Sequence, residues 1–392
     1  MVSILCAVSA VSILVFILLS IKKRSINNIL IFICSCILIY FITFPKQCIN
    51  STIFGTKIFF TSVFPSLFPF LIICNLLISY DGITIYSKLF GKILCKPLRL
   101  PLQCSLTIII SSLCGYPLGA KYCCEMYENN LISKEDCQRL LNIASNASPL
   151  FIVGSVGTAM LGFTNLGYVI LTSNYISCLL MSAILKPESA YSKDDRFRFY
   201  LRGMGIEKNI GKTLKESIDN AIKSTLSIGG YIIFFSVIID IINYNSYLEY
   251  IIYYITGSNT MKDFIKSLIL GLIEITKGCQ LISLLNVSVY LKCIVISFLL
   301  GFSGLSIISQ VYSFTYRFPE LSVKKYIKRK AVQGLFCSAT TALLLVPLNY
   351  YSSSTVFNQG SSLTMLPLIL MLGSILLIPL LLTLIKNLLH IS

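Results

Sequence analysis

The chain has 392 residues, of which 55% are hydrophobic and 12% charged, and its mean hydropathy is +0.81. A soluble fold cannot hide that much apolar surface, so the composition excludes a water-soluble domain and points to a polytopic helical membrane protein. The formal net charge of +16 does not argue for a nucleic-acid partner, because the basic residues sit in short loops between apolar runs, the positive-inside pattern that reports orientation.

Residues Met1 to Ile21 are apolar without a basic lead-in and are followed by Lys22, Lys23 and Arg24. A cleavable signal carries its charge in front, so this is expected to be an anchor with the basic cluster inside. Ile26 to Phe44 returns outward, and residues 1–45 form two N-terminal membrane helices. A first repeat is expected over 46–186. Within it, Thr52 to Tyr80 starts amphipathic, carries Phe64-Pro-Ser-Leu-Phe-Pro-Phe70 and should kink at its prolines. Lys88, Lys92, Lys96 and Arg99 mark an inside loop.

The next stretch organises the rest. Ser111 to Lys121 reads Ser-Ser-Leu-Cys-Gly-Tyr-Pro-Leu-Gly-Ala-Lys. Gly115, Pro117 and Gly119 interrupt helical geometry at a depth where bare backbone survives only inside protein or beside a wet cavity. Leu102 to Tyr122, charged on both flanks, is expected to be a re-entrant hairpin entering from inside. A kink at an ordinary helix end is the alternative. Leu140 to Phe163 then crosses outward and is interrupted by Asn142, Ser145, Asn146, Ser148 and Pro149. Gly154 and Gly157 suit close helix packing. Asn165 to Leu185 returns inside.

Residues 187–216 form a basic cytoplasmic connector, and 217–316 repeat the first layout. Ser217 to Ile242 opens amphipathic and is expected to break at Gly229-Gly230. Ile269 to Cys279, with Glu274 and Lys277, matches the hairpin at Gly115 to Lys121. Ser297 to Val311, with Gly301-Phe-Ser-Gly304, matches the crossing at Gly154 to Gly157. Arg317 to Lys330 is strongly basic and therefore inside, and 317–392 adds two C-terminal membrane helices. By parity of crossings the second unit runs opposite to the first, as an inverted repeat, an architecture that places substrate between broken elements at mid-membrane.

The fifteen cysteines fall mostly in apolar runs, where cysteine acts as a small hydrophobe. The adjacent Cys123 and Cys124 are a redox candidate weighed against plain packing. With one histidine, His390, and no paired C-x-x-C spacing, no metal site and no cofactor are expected. Gly301 to Gly304 also matches the G-x-S-G of intramembrane serine proteases. That reading needs a base for Ser303, and His390, third from the end, is poorly placed to serve, so no enzyme is expected. A structural gate protein that moves nothing is a further alternative.

Phe64 to Phe70, Gly115-Tyr-Pro-Leu-Gly-Ala-Lys121 and Ser145-Asn-Ala-Ser-Pro-Leu-Phe151 together resemble the sporulation integral membrane protein YlbJ (SpoVV) family. The resemblance runs from about Thr52 to Arg317. It implies the gate or nucleoside-recognition domain related to concentrative nucleoside transporters, and hence an all-α inverted repeat of about nine spans and two re-entrant hairpins. It also implies endospore formation and movement of dipicolinate across the outer forespore membrane. A flat pyridine with two carboxylates needs cationic groups on opposite sides and an apolar surface for its ring.

On this reading the substrate-binding residues are Gly115, Tyr116, Gly119, Lys121, Ser145, Asn146, Ser148, Glu274 and Lys277. Broken helix ends offer free amides to an anion, and Lys121 and Lys277 each face a carboxylate. Asn146, Ser145 and Ser148 add donors, Tyr116 stacks on the ring, and Glu274 carries a proton or pairs with Lys277. The competing reading is that both lysines snorkel to an interface. A coupling ion, proton or sodium, is expected. Oligomerisation with further copies is left open by the sequence.

Overall fold

The computed structural model describes residues 26–185, 209–244 and 246–352. The N-terminal anchor, the basic connector from 186 to 208, the loop around 353–362, Lys386 and His390 lie outside the described residues.

Among the described residues every regular element is helical. Ile26–Thr43 (α1) meets Pro45–Ile58 (α2), which passes through one π-helical turn, Phe59–Val63 (π1), into Phe64–Ser79 (α3). Gly82–Cys95 (α4), Ser105–Cys114 (α5), Leu118–Glu128 (α6) and Lys134–Ile143 (α7) are short. A second π-helix, Leu150–Met160 (π2), leads to Thr164–Ile184 (α8). The rest comprises Ile210–Asn243 (α9), Ser246–Thr256 (α10), Asn259–Ile273 (α11), Ile275–Leu284 (α12), Val289–Phe302 (α13), Gly304–Thr315 (α14) and Val323–Ser352 (α15).

Three stretches are long and apolar enough to cross a bilayer singly: Thr164–Ile184, Ile210–Asn243 and Val289–Thr315. Two bent pairs qualify if each is one span: Leu30–Thr43 with Pro45–Thr61 at 105°, and Leu67–Ser79 with Gly82–Cys95 at 94°. The described residues thus hold three to five candidate spans.

One order of elements occurs twice. A long segment (α2–π1–α3, then α9) is followed by a short helix (α4, then α10). Two interrupted pairs come next (α5–α6 and α7–π2, then α11–α12 and α13–α14), and a closing helix ends each set (α8, then α15). Contacts between the two sets are reciprocal. α14 packs on α6 as π2 packs on α12, while the long segments α2 and α3 lie on α9 and the closing helices lie on each other.

Sequence expectation and structure part at three places. Gly229 and Gly230 do not break α9, which runs unbroken for 34 residues. A Cβ on Gly229 would stand 2.7 Å from the Phe59 ring, so that glycine admits an aromatic neighbour; Gly230 has nothing within 4 Å. The segment with Lys88 and Lys92 is helix α4 rather than a loop. The basic run ending at Lys330 is not all loop either, because α15 starts at Val323.

Candidate functional site

α5 ends at Gly115, whose φ of +78° is open to glycine and strained for other residues. Its amide still reaches Ser111 O at 2.8 Å, and the next amide, of Tyr116, donates across to Asn146 O at 2.6 Å. The partner strand is the unwound stretch between α7 and π2. A Cβ on Gly115 would lie 2.5 Å from Ser148 N and 3.0 Å from Asn146 O. Four residues on, a Cβ on Gly119 would overlap the Ala144 carbonyl and stand 2.9 Å from Ser111 Oγ. The two interruptions of the first half therefore lie backbone against backbone, and their glycines are what lets them touch.

The second half repeats the arrangement with different residues. Between α11 and α12 only Glu274 is extended (φ −138°, ψ 122°), and its carboxylate accepts from Thr276 N at 2.9 Å and Lys277 N at 2.8 Å. Both oxygens thus satisfy amides that a helix start leaves without partners. Between α13 and α14, Ser303 is left-handed (φ 80°) and so is Gly304 (φ 68°). For a serine that conformation costs roughly 1–3 kcal/mol. A Cβ on Gly304 would lie 3.3 Å from Gly271 O and 3.4 Å from Ile273 O, so this break sits against the end of α11.

Tyr116 links the halves. Its ring packs against both apolar cores, one built from α5–α7 with α14, the other from π2, α8, α12 and α13. Its Oη is buried and has no hydrogen-bond partner among the described residues, and neither has the Oγ of the fully buried Ser303. Buried polar groups are nearly always paired, so unpaired ones need an explanation. Asn174 on α8, 1% exposed, has no partner for either atom of its side-chain amide among the described residues.

The strongest polar cluster centres on a residue that charge patterning hid. Lys330 is 0% exposed; its Nζ donates to Ser145 O at 2.6 Å and to Gln333 Oε1 at 2.9 Å. Gln333 Nε2 in turn donates to Asn146 Oδ1 at 2.8 Å, and Asn146 Nδ2 to Ile143 O at 2.7 Å. Ser145 Oγ pairs with Tyr326 Oη at 2.7 Å. The last helix of the second half thus holds the break of the first. Lys330 takes no part in the four ion pairs found among the described residues, an expensive state for a buried cation. In sequence Lys330 merges into Lys324, Lys325, Lys328 and Arg329. The signal that separates it is spacing: Tyr326, Lys330, Gln333, Cys337 and Thr341 recur every three or four residues, and all five are buried.

The other expected site residues are distributed as follows. Lys121 and Lys277 occupy matching positions, in the first turn of the helix after each break. Lys121 is 7% exposed; its ammonium is 3.6 Å from the Glu125 carboxylate, ion-pair range but longer than a hydrogen bond, and lies 5.0 Å from the Tyr122 ring centre. Lys277 sits over the Phe54 ring at 5.2 Å. It lines a cleft of about 560 Å³ with Phe54, Ile232, Asp240, Glu274 and Gln280. Lys121 is not among that cleft's lining residues. Glu274 meets the backbone amide of Lys277, not its ammonium. Ser148 Oγ accepts from Phe151 N at 3.3 Å, at the start of π2. Cys123 and Cys124 are both buried, and the nearest thiol to Cys123 is Cys137, at 3.4 Å, not its neighbour in sequence.

Several apolar helices, four interrupted by unwound backbone and braced by a buried cation, define a helical integral membrane protein. The chain is 25% identical over 326 residues to the sporulation integral membrane protein YlbJ of Bacillus subtilis (strain 168), covering 78% of this chain and 80% of that one. This match bears out the resemblance to YlbJ read from the motifs. No family model matches the chain. No solved structure matches it either.

Proposed function

We propose that this protein moves a small organic anion, most simply dipicolinate, across the outer forespore membrane of a sporulating cell by alternating access. The observation that carries the reading is the meeting of interrupted helices around unpaired buried polar groups. Tyr116 Oη and Ser303 Oγ have no partner among the described residues. A ligand with hydrogen-bonding oxygens would supply what these groups lack. Lys121 and Lys277 bring positive charge to the helices that follow two of the breaks, Lys330 reaches the break at 144–149 from α15, and the Tyr116 ring offers an apolar face.

The twice-used order of elements, with reciprocal contacts between the sets, supports the inverted-repeat reading, with a second set that runs on past 316 to take in α15. In such a fold a pseudo-two-fold axis would exchange α6 with α12 and π2 with α14, and the cross-contacts obey that exchange. The match to a sporulation membrane protein supports the setting; the substrate rests on the family resemblance and on the chemistry of the breaks.

One observation favours a second reading, a gate that moves nothing. Ser145 and Asn146 have their side chains bonded within the protein, as a structural brace would. Reconstituted proteoliposomes separate the two. On the transport reading, labelled dipicolinate accumulates and unlabelled dipicolinate competes with it, whereas a nucleoside competes weakly. Equal, slow leakage of both compounds, no faster than in empty liposomes, would remove the transport reading and leave the gate.

A further inference from the structure

The helix α4 carries two lines of side chains that no described element covers. It turns away from α3 by 94°, so it lies across the direction of that helix. Its inner face, Ile83, Ser87, Gly91 and Cys95, repeats every four residues and is buried. Its outer face carries a line of apolar side chains, Ile85, Leu89 and Ile93, exposed by 53%, 62% and 42%. Beside that line runs a second one of Lys88, Lys92, Lys96 and Arg99, all exposed. The spacing of four, four and three keeps these cations on one side of the helix and the turn that continues it.

These two lines make opposite demands. An exposed apolar line is unfavourable in water, and four cations are unfavourable in hydrocarbon. Both are satisfied only where acyl chains meet headgroups. α4 itself contains no acidic residue, and Asp81, just before it, accepts from Thr84 Oγ1 at 2.6 Å. The helix in the matching place, α10, differs. It exposes Tyr250, Tyr253, Tyr254 and Ile255, and its Glu249 is ion-paired to Lys266. That is an aromatic interfacial surface without a line of cations.

We propose that α4 lies in the membrane interface and binds the headgroups of anionic phospholipids through Lys88, Lys92, Lys96 and Arg99. The contact reaches the interior by a short route. Arg139 on α7 donates through both terminal nitrogens to the carbonyls of Leu98 and Arg99, which ties the basic turn to the helix that unwinds at 144–149. This inference is independent of the transport reading.

The chain contains no tryptophan, so Leu89→Trp gives a single fluorescent reporter at an exposed position on the apolar line. The full-length L89W protein is reconstituted into vesicles holding about 10 mol% phosphatidylglycerol in phosphatidylcholine, with bromine on the acyl chains of one lipid at a time. One basic residue near an anionic surface is worth about a fivefold preference. Even a single reading cation would therefore place phosphatidylglycerol at about a third of the contact positions instead of a tenth. We expect quenching by the brominated anionic lipid at that level or above. The preference should fall as potassium chloride is raised and vanish in K88Q/K92Q/K96Q/R99Q. Emission at the wavelength of water-exposed tryptophan with no quenching would overturn the interfacial placement. Quenching in simple proportion to lipid composition, or a preference indifferent to salt, would overturn headgroup recognition. A preference that survives in the quadruple variant would move the recognition off these four residues.

Discussion

Replacing Gly119 by alanine sets two known effects against each other. In a helix interior alanine is favoured over glycine by about 1 kcal/mol, so propensity alone predicts a more stable protein. The packing predicts the reverse. The new methyl would overlap the Ala144 carbonyl oxygen and stand 2.7 Å from its carbon and 2.9 Å from Ser111 Oγ. Two of those three atoms are backbone, so no rotamer change relieves the contact; α6 must move away from the unwound segment. Overpacking of this kind costs about 1–3 kcal/mol, and backbone on the far side puts this site near the top of that range. The net expectation is a loss of about 1–2 kcal/mol, roughly a five- to thirtyfold smaller folding constant. Gly230→Ala is the control, since nothing lies within 4 Å of its Cβ position, and it should gain up to about 1 kcal/mol. Reversible unfolding in mixed micelles measures both. If Gly119→Ala is as stable as Gly230→Ala, α6 does not touch Ala144 and the pairing of the first two breaks is wrong.

Lys121→Gln keeps length and hydrogen bonding but removes the cation. If the lysine meets a substrate carboxylate, apparent affinity in the proteoliposome assay should fall some thirty- to several-hundred-fold, from about 2–4 kcal/mol. A change of about twofold would assign Lys121 only to its ion pair with Glu125. Lys330→Met leaves Ser145 O and Gln333 Oε1 without their donor; unpaired buried acceptors cost about 1–3 kcal/mol each, partly offset by losing a buried charge. Its thermal midpoint should therefore drop, and an unchanged midpoint would mean the brace contributes nothing. The thiols of Cys123 and Cys137 are 3.4 Å apart, so mild oxidation with diamide should link this pair, read by peptide mass spectrometry. A Cys123–Cys124 link instead would contradict the packing of α6 on α7.

The interruptions were legible in the sequence because residues with special backbone demands announce them. Gly115, Pro117 and Gly119 mark the first, and Gly301 and Gly304 flank the turn at Ser303. Glu274 was visible as a charge in an apolar run, but its task as a helix cap was not, since a carboxylate at a helix start looks the same as one aimed at a partner. Gly229 and Gly230 misled because a glycine that admits a ring and one that breaks a helix are written identically. The segment from Lys88 to Arg99 was read by its charge count, which hid the apolar line running beside it. Lys330 was lost in the same way. Only the recurrence of buried polar residues along α15 singles it out, and that recurrence is interpretable once a partner helix is known.

The link from Lys330 to Ser145 spans 185 positions of the chain. During synthesis the segment at 144–149 enters the membrane long before its brace is translated. Until α15 arrives, the Ser145 carbonyl and the Asn146 amide oxygen lack the donors they have in the finished protein, in a medium that supplies none. The first half is thus inserted as an incomplete module, and its break gains these donors only when α15 docks. A ribosome that stalls before Val323 would release a product that spans the bilayer yet cannot close its own interior, a natural substrate for membrane quality control.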